Sequence, residues 1–265
     1  MVLPRRARSR YVNRRKLKPA EGKTDHSDDD HYIQRHDLTL DPSDEHRCTL
    51  VLLHGLQCSP EDWLQLVPYL HDCGVHGVRL KVPCAPLRSN PKYWGGDRTP
   101  GPSWFDYHTD CSGKEEEDEV DEGHVAEQRA RILGMIEREV KLLGGDARKV
   151  VLGGCSQGCS MACEIAMAWN EANTSKLGGL VLQRGLGMSQ TWSRAQLLGS
   201  DTTKVLICHG EDDDVYPVDF ALGSFEPLKS AGFDVQVVRL KDIDHGSDSL
   251  DEQRATAKFI ARCLL

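Results

Sequence analysis

The segment Val150-Val151-Leu152-Gly153-Gly154-Cys155-Ser156-Gln157-Gly158 restricts the fold more than any other part of the chain. Its apolar, β-branched start reads as a buried strand, and the small-residue stretch Ser160 to Trp169 that follows reads as a helix. Between them, Gly154 and Gly158 flank Ser156 at G-x-S-x-G spacing. A strand turns this abruptly into a helix only where the flanking residues lack side chains that would strike both elements. The serine then sits in strained backbone at the tip of the turn, the arrangement of a nucleophile elbow. The same short pattern also describes an ordinary glycine-rich turn, and it is the order strand, turn, helix that favours the chemical reading.

Strands are expected at about Thr49 to Leu53, Gly77 to Val82, Lys149 to Cys155, Gly179 to Leu182, Lys204 to Cys208 and Val235 to Leu240. Helical or loop-rich stretches separate them, which implies an α/β core: a mostly parallel sheet with helices on both faces. A helix over Ala126 to Leu143 carries Ile132, Leu133, Ile136, Val140 and Leu143 at helical spacing, a stripe facing the sheet, with Arg129, Glu137 and Lys141 on its polar side. A chain of 265 residues is long for one domain, yet α/β cores of that size occur.

Charge divides the chain into a tail, residues 1–40, and a folded domain, residues 41–265. The first 23 residues carry nine Lys or Arg against Glu21 alone, so with the whole chain at −8 the remainder sums to −16. Lys23 to Glu45 is dominated by Asp, His, Ser and Lys, and reads as a disordered linker leading to an edge strand. The basic runs Arg5 to Arg10 and Arg14-Arg15-Lys16 suit a solvated tail, a nuclear or organellar address, or peripheral contact with an anionic membrane. No secretory core follows them, no apolar run of about 20 residues is present to span a membrane, and no nucleic-acid partner is expected. Ten cysteines without a secretory signal or paired metal spacing fit a reducing, cytoplasmic compartment. Cys155, Cys159 and Cys163 imitate a zinc stripe but read better as small core residues on one helix, so no metal is expected.

A serine hydroxyl is a poor nucleophile at neutral pH and needs a base, a carboxylate that orients the base, and donors for the oxyanion. His245 is the base candidate, on the loop after the last expected strand. His209 ends a strand instead and opens a turn, His209 to Pro217, that holds four consecutive acids, Glu211 to Asp214. Charge alone does not choose the carboxylate among them. The oxyanion donors are expected from the backbone of Gln157, after the serine, and of Leu56, after the buried strand that closes in His54-Gly55.

These segments together resemble the acyl-protein thioesterase and lysophospholipase-like carboxylesterases, members of the α/β-hydrolases. The resemblance rests on Leu53-His54-Gly55-Leu56 with Glu61-Asp62-Trp63, Pro83-Cys84-Ala85-Pro86, Pro102-Ser103-Trp104-Phe105-Asp106, the elbow, and the turn His209 to Pro217. It covers about Cys48 to Leu265. It implies the α/β-hydrolase fold and assigns the orienting carboxylate to Asp213 and the base to His245, in the order Ser, Asp, His that this fold uses. The chain departs from the family at Cys155, at Cys159, at Gln183-Arg184 in place of a serine-glycine pair, and in longer connections at Arg88 to Pro100 and Lys114 to Glu122.

The resemblance implies a serine hydrolase that cleaves S-acylated proteins or lysophospholipids through an acyl-enzyme, with no metal or organic cofactor. Tyr93, Trp94, Trp104 and Phe105 are the candidates to line an apolar acyl groove. Two alternatives stand beside it. A carboxylesterase for small esters would use the same three residues, and a non-catalytic binding protein would keep the fold alone.

Overall fold

Alternation along the strands decides how the layers assemble. The computed structural model describes residues 36–89, 100–111, 116–195 and 203–265. In chain order these form β1 (Leu38–Leu40), β2 (Cys48–Leu53), a 3₁₀ segment (Pro60–Leu66) running into α1 (Val67–Asp72), β3 (Val78–Val82), the short pair β4 (Leu87–Arg88) and β5 (Gly101–Pro102), and α2 (Glu122–Leu142). Then follow β6 (Val150–Cys155), α3 (Gln157–Ala172), β7 (Gly179–Gln183), α4 (Ser189–Ala195), β8 (Lys204–Gly210), α5 (Val218–Gly223), α6 (Glu226–Ser230), β9 (Asp234–Leu240) and α7 (Leu250–Leu264). Among the described residues the main sheet has seven strands in the order β1-β3-β2-β6-β7-β8-β9. All neighbours in it pair parallel except β1 with β3.

Successive side chains of a strand point to opposite faces, so an all-apolar strand feeds two cores. Val51 and Leu53 of β2, Leu152 of β6 and Ile207 of β8 pack with Ile132 and Ile136 of α2 and Ile165 of α3. Their neighbours Leu50, Leu52, Val151 and Leu206 pack on the other face with Trp63, Leu70 of α1 and Ile260 of α7. Helices therefore cover both faces, as the strand spacing predicts.

Two expectations are revised. The sheet begins at Leu38, ahead of the expected domain start at 41, because Leu38 to Leu40 pair antiparallel with β3 in register Leu38↔Val82 to Leu40↔Leu80. Asp37 fastens this edge, accepting from the Cys84 N–H (2.9 Å) and from Arg131 Nη2 (2.6 Å). Second, α2 begins at Glu122 rather than Ala126, because Asp121 caps it by accepting from the His124 N–H (2.8 Å), and a cap sets a helix start independently of apolar period. On the polar side of α2, Arg129 pairs with Glu164 of α3 at 2.5 Å, a fully buried carboxylate that also accepts from Thr191 Oγ1 (2.7 Å).

The basic runs at residues 5–16, Tyr93, Trp94 and most of the Arg88 to Pro100 connection lie outside the described residues. Among the described residues no helix is long and apolar enough to cross a membrane, and no group of three His, Cys, Asp or Glu side chains is placed to hold a metal ion.

Candidate active site

Strand β6 delivers Ser156 to the carboxyl edge of the sheet at the centre of the strand order. Its backbone has φ 55° and ψ −122°, a region that an ordinary L-residue avoids. The flanking glycines explain how such a turn closes. A Cβ on Gly154 would stand 2.0 Å from the Gly158 carbonyl oxygen, and one on Gly158 would stand 2.4 Å from that of Leu53. The Ser156 N–H is held by the Gln183 carbonyl at 2.8 Å.

The tertiary fold brings three sequence candidates into one hydrogen-bonded row. Ser156 Oγ lies 2.9 Å from His245 Nε2, and His245 Nδ1 lies 2.8 Å from Asp213 Oδ2 and 3.1 Å from Oδ1. With Nδ1–H donating to the carboxylate, Nε2 is left as the acceptor for the serine hydroxyl. All three residues are buried, at 6–7% exposure.

Among the four consecutive acids, Asp213 turns inward while Glu211, Asp212 and Asp214 stay exposed. Its Oδ1 accepts from the N–H groups of Val215 (3.0 Å) and Tyr216 (2.8 Å), which holds the carboxylate in the turn. Burial alone would raise its pKa, but the His245 contact and the Tyr216 N–H more than offset that and hold it below the usual carboxylate value. The Tyr216 ring packs edge-on against His245, with centroids 5.4 Å apart. His209 is fully buried under this turn and donates from Nε2 to the Tyr216 carbonyl (2.8 Å), and burial lowers its pKa. It braces the turn.

The loop after β2 is pinned from several directions. His54 donates from Nδ1 to the Gly55 carbonyl (2.8 Å) and accepts at Nε2 from the Ala85 N–H (3.0 Å), while the Gln57 N–H reaches the Pro102 carbonyl (2.8 Å). Gly55 lies so close to the elbow that a Cβ on it would stand 3.3 Å from the Ser156 Cβ. Leu56, next in the chain, is buried there, and Gln157 opens α3, where a helix N–H has no intrahelical acceptor.

Trp104 does not line an open groove. It is completely buried, its indole N–H donates to the His54 carbonyl (2.8 Å), and its ring lies 5.2 Å from that of His54. A buried indole requires an acceptor, and here the acceptor belongs to the loop that faces the serine. The Gln157 side chain ties the same segment to the elbow: Oε1 accepts from the Trp104 N–H (2.8 Å), and Nε2 donates to the Phe105 carbonyl (2.8 Å) and Ser103 Oγ (3.0 Å).

Phe105, also buried, shares the wall of a small cavity with Tyr107, Val120, Leu186, Met188 and Tyr216, and Glu117 and Asp118 lie on the same wall. The cavity holds only about 20 Å³, room for roughly one water. Of this set the sequence pointed to Phe105 alone as a lining residue; the others come from separate segments with no shared motif.

Cys159 and Cys163 lie in the core of α3, and burial pushes both thiols up, which disfavours a reactive thiolate at either. Cys159 fits because Gly185 faces it: a Cβ there would come within 2.6 Å of the Cys159 Cβ. The guanidinium of Arg184 is taken up by Glu252 of α7.

The sequence pattern of the phospholipase/carboxylesterase family matches residues 35–264. Over 233 residues the chain is 28% identical to acyl-protein thioesterase 1 homolog 1 of Dictyostelium discoideum, covering 88% of this chain and 95% of that protein. Acyl-protein thioesterase 1 of Gibberella zeae is 29% identical over 231 residues, with coverages of 82% and 92%. Among solved structures, Zea mays acyl-protein thioesterase 2 superposes with a TM-score of 0.68 at 22% identity, over 87% of this chain and all of that one. The Bacillus cereus carboxylesterase gives 0.62 at 16% identity, over 88% and 96%. At such identities the likeness shows the fold, which is that of the α/β-hydrolases.

Proposed function

The chain belongs to the phospholipase/carboxylesterase family, and on that premise we propose that Ser156, His245 and Asp213 are the nucleophile, base and orienting acid of an acyl-ester or thioester hydrolase. The protein is a serine hydrolase. The row Ser156 Oγ, His245 Nε2, His245 Nδ1, Asp213 Oδ2, with bonds of 2.9 and 2.8 Å, carries the residue assignment.

In the first step His245 takes the hydroxyl proton as Ser156 attacks the acyl carbon, and Asp213 stabilises the imidazolium. The N–H groups of Leu56 and Gln157 hold the oxyanion, a role that the pinned loop and the helix start support. His245 then returns the proton to the leaving thiol or alcohol, and water repeats the sequence on the acyl-enzyme.

S-acylated proteins are the substrate class favoured by the names of the relatives, and lysophospholipids are a lipid counterpart in keeping with the family's description. Ten free cysteines are in keeping with a reducing, cytoplasmic setting. The small-ester carboxylesterase reading is favoured by one observation, the cavity of about 20 Å³ beside Phe105 and Tyr216, which holds no long chain without rearrangement.

Two measurements test the reading. A fluorophosphonate probe should label the wild-type protein on Ser156, and Ser156→Ala should lose label and turnover together by several orders of magnitude. For thioesters of increasing chain length, kcat/KM should rise by roughly 0.8 kcal/mol of transition-state binding per buried methylene. A preference for acetyl throughout selects the small-ester enzyme, and an unlabelled protein without turnover is a binding protein.

A further inference from the structure

Arg184 is 7% exposed and follows β7 with φ 47°, a left-handed conformation that costs a non-glycine residue free energy and persists only when its surroundings hold it. Those surroundings are polar and specific. Nε donates to Glu252 Oε1 at 3.0 Å and Nη2 donates to Glu252 Oε2, a two-point match of guanidinium and carboxylate. Nη1 donates to the carbonyl of His245 itself (3.1 Å) and to that of Ser247 (2.6 Å). Glu252 is 2% exposed and sits three residues after Ser249, whose hydroxyl caps α7 by accepting the Glu252 N–H (3.2 Å). Ser249-x-x-Glu252 thus has the spacing of a capping box, yet the carboxylate is given to Arg184.

We propose that Arg184, held by Glu252, is a positioning residue for His245, clamping the backbone of the base's loop to the strand next to the nucleophile. The inference rests on the assignment of His245 as base. The His245 side chain is tied to Asp213 and Ser156, and the Arg184 clamp adds a tie to its main chain, so that the ring has little freedom between Ser156 and Asp213. Glu252 also balances the guanidinium charge, which would otherwise oppose the imidazolium formed during attack.

The charged and titratable groups around the imidazole come from each neighbouring element: Asp213 and Tyr216 from the turn after β8, His209 from β8, Arg184 from the end of β7, and Glu252 from α7. Cys155, at the end of β6, is kept neutral by burial. Arg184 and Glu252 are therefore the two members whose removal changes the local charge in opposite senses.

The test measures kcat, KM and the pH dependence of kcat/KM in the full chain. Arg184→Met and Glu252→Gln should each lower kcat by about tenfold or more with KM changed less than about threefold. The rising limb of kcat/KM should move to higher pH in Arg184→Met, where Glu252 is left alone, and to lower pH in Glu252→Gln, each by about one unit. Because one orphaned buried charge can prevent folding, the deciding variant is the double Arg184→Met/Glu252→Leu, an apolar exchange that buried pairs commonly tolerate. It should fold, keep the wild-type limb, and still show kcat about tenfold down, since the His245 and Ser247 carbonyls have lost their donor. A folded double variant with kcat within about twofold of wild type, or limbs that move in the same direction in the two single variants, overturns the proposal. Turnover that survives Ser156→Ala would instead defeat the underlying assignment, so the two failures are distinguishable.

Discussion

Replacing Gln157 by methionine separates what its side chain does from what its backbone does, because the N–H stays in place while the amide goes. Ser103 Oγ stands 2.7 Å from the Phe105 carbonyl, so its single proton serves that acceptor, and the amide of Gln157 makes three further bonds: from the Trp104 N–H, to Ser103 Oγ and to the Phe105 carbonyl. In Gln157→Met the Phe105 carbonyl keeps the serine hydroxyl, but the Trp104 N–H, on a residue with no exposure, is left without a partner. An orphaned buried donor costs about 1–3 kcal/mol, and each of the other two bonds contributes about 1 kcal/mol net. Burying a more apolar side chain returns about 1 kcal/mol. The expected loss is about 2–4 kcal/mol, a fall in Tm of roughly 5–15 °C for a domain of this size. Urea unfolding of wild type and variant measures it, with turnover followed in parallel. Since Trp104 also holds the His54 carbonyl on the loop that faces Ser156, turnover should fall along with stability. A loss below about 1 kcal/mol, the net worth of one hydrogen bond, refutes the view that this amide welds the 102–106 segment to the elbow.

Gly154→Ala should cost about 3 kcal/mol or more and abolish probe labelling, because its Cβ would stand 2.0 Å from a backbone oxygen that cannot move without shifting α3; urea melts near those of wild type would contradict it. A chain starting at residue 36 should melt like the full protein, whereas one starting at 41 should lose about 2–4 kcal/mol with the β1 ladder and the Asp37 bonds; equal melts would show that β1 contributes nothing. Burial lowers the pKa of both His209 and His46 from the ordinary 6.5, so the unfolded chain binds protons more readily, and stability should be full above pH 6.5 and fall as pH drops below it. Asp213, held below its ordinary 3.8, adds a second loss as pH falls under about 4. Tm measured from pH 8 to 3 checks both windows, and His209→Gln should flatten the first; an unchanged slope there would rule His209 out as its source.

What the sequence by itself determined is what local backbone chemistry encodes. Gly154 and Gly158 mark a turn that admits no Cβ, continuous apolar runs in β2, β6, β7 and β8 specify strands that feed two cores, and the order Ser156, Asp213, His245 places each residue at the end of a strand or on the loop beyond it. These signals survive in one dimension because sterics and side-chain period act between near neighbours. Boundaries set by single caps or edge pairings were less legible, as the Asp121 cap of α2 and the strand at Leu38 illustrate.

Tertiary structure decided what depends on distant partners. A tryptophan in a motif near the site can face a ligand or the interior, and Trp104 went inward because the His54 carbonyl, fifty residues away, accepts its N–H. Glu252 has capping-box spacing in sequence, yet its carboxylate pairs with Arg184, which only the packing of α7 against the sheet makes available. Of four consecutive acids, only Asp213 could be turned inward by the N–H groups of Val215 and Tyr216 while reaching a histidine on another loop. Burial and hydrogen-bond partnership are properties of the folded chain, and residues far apart in sequence carry no mark of them until the sheet brings them together.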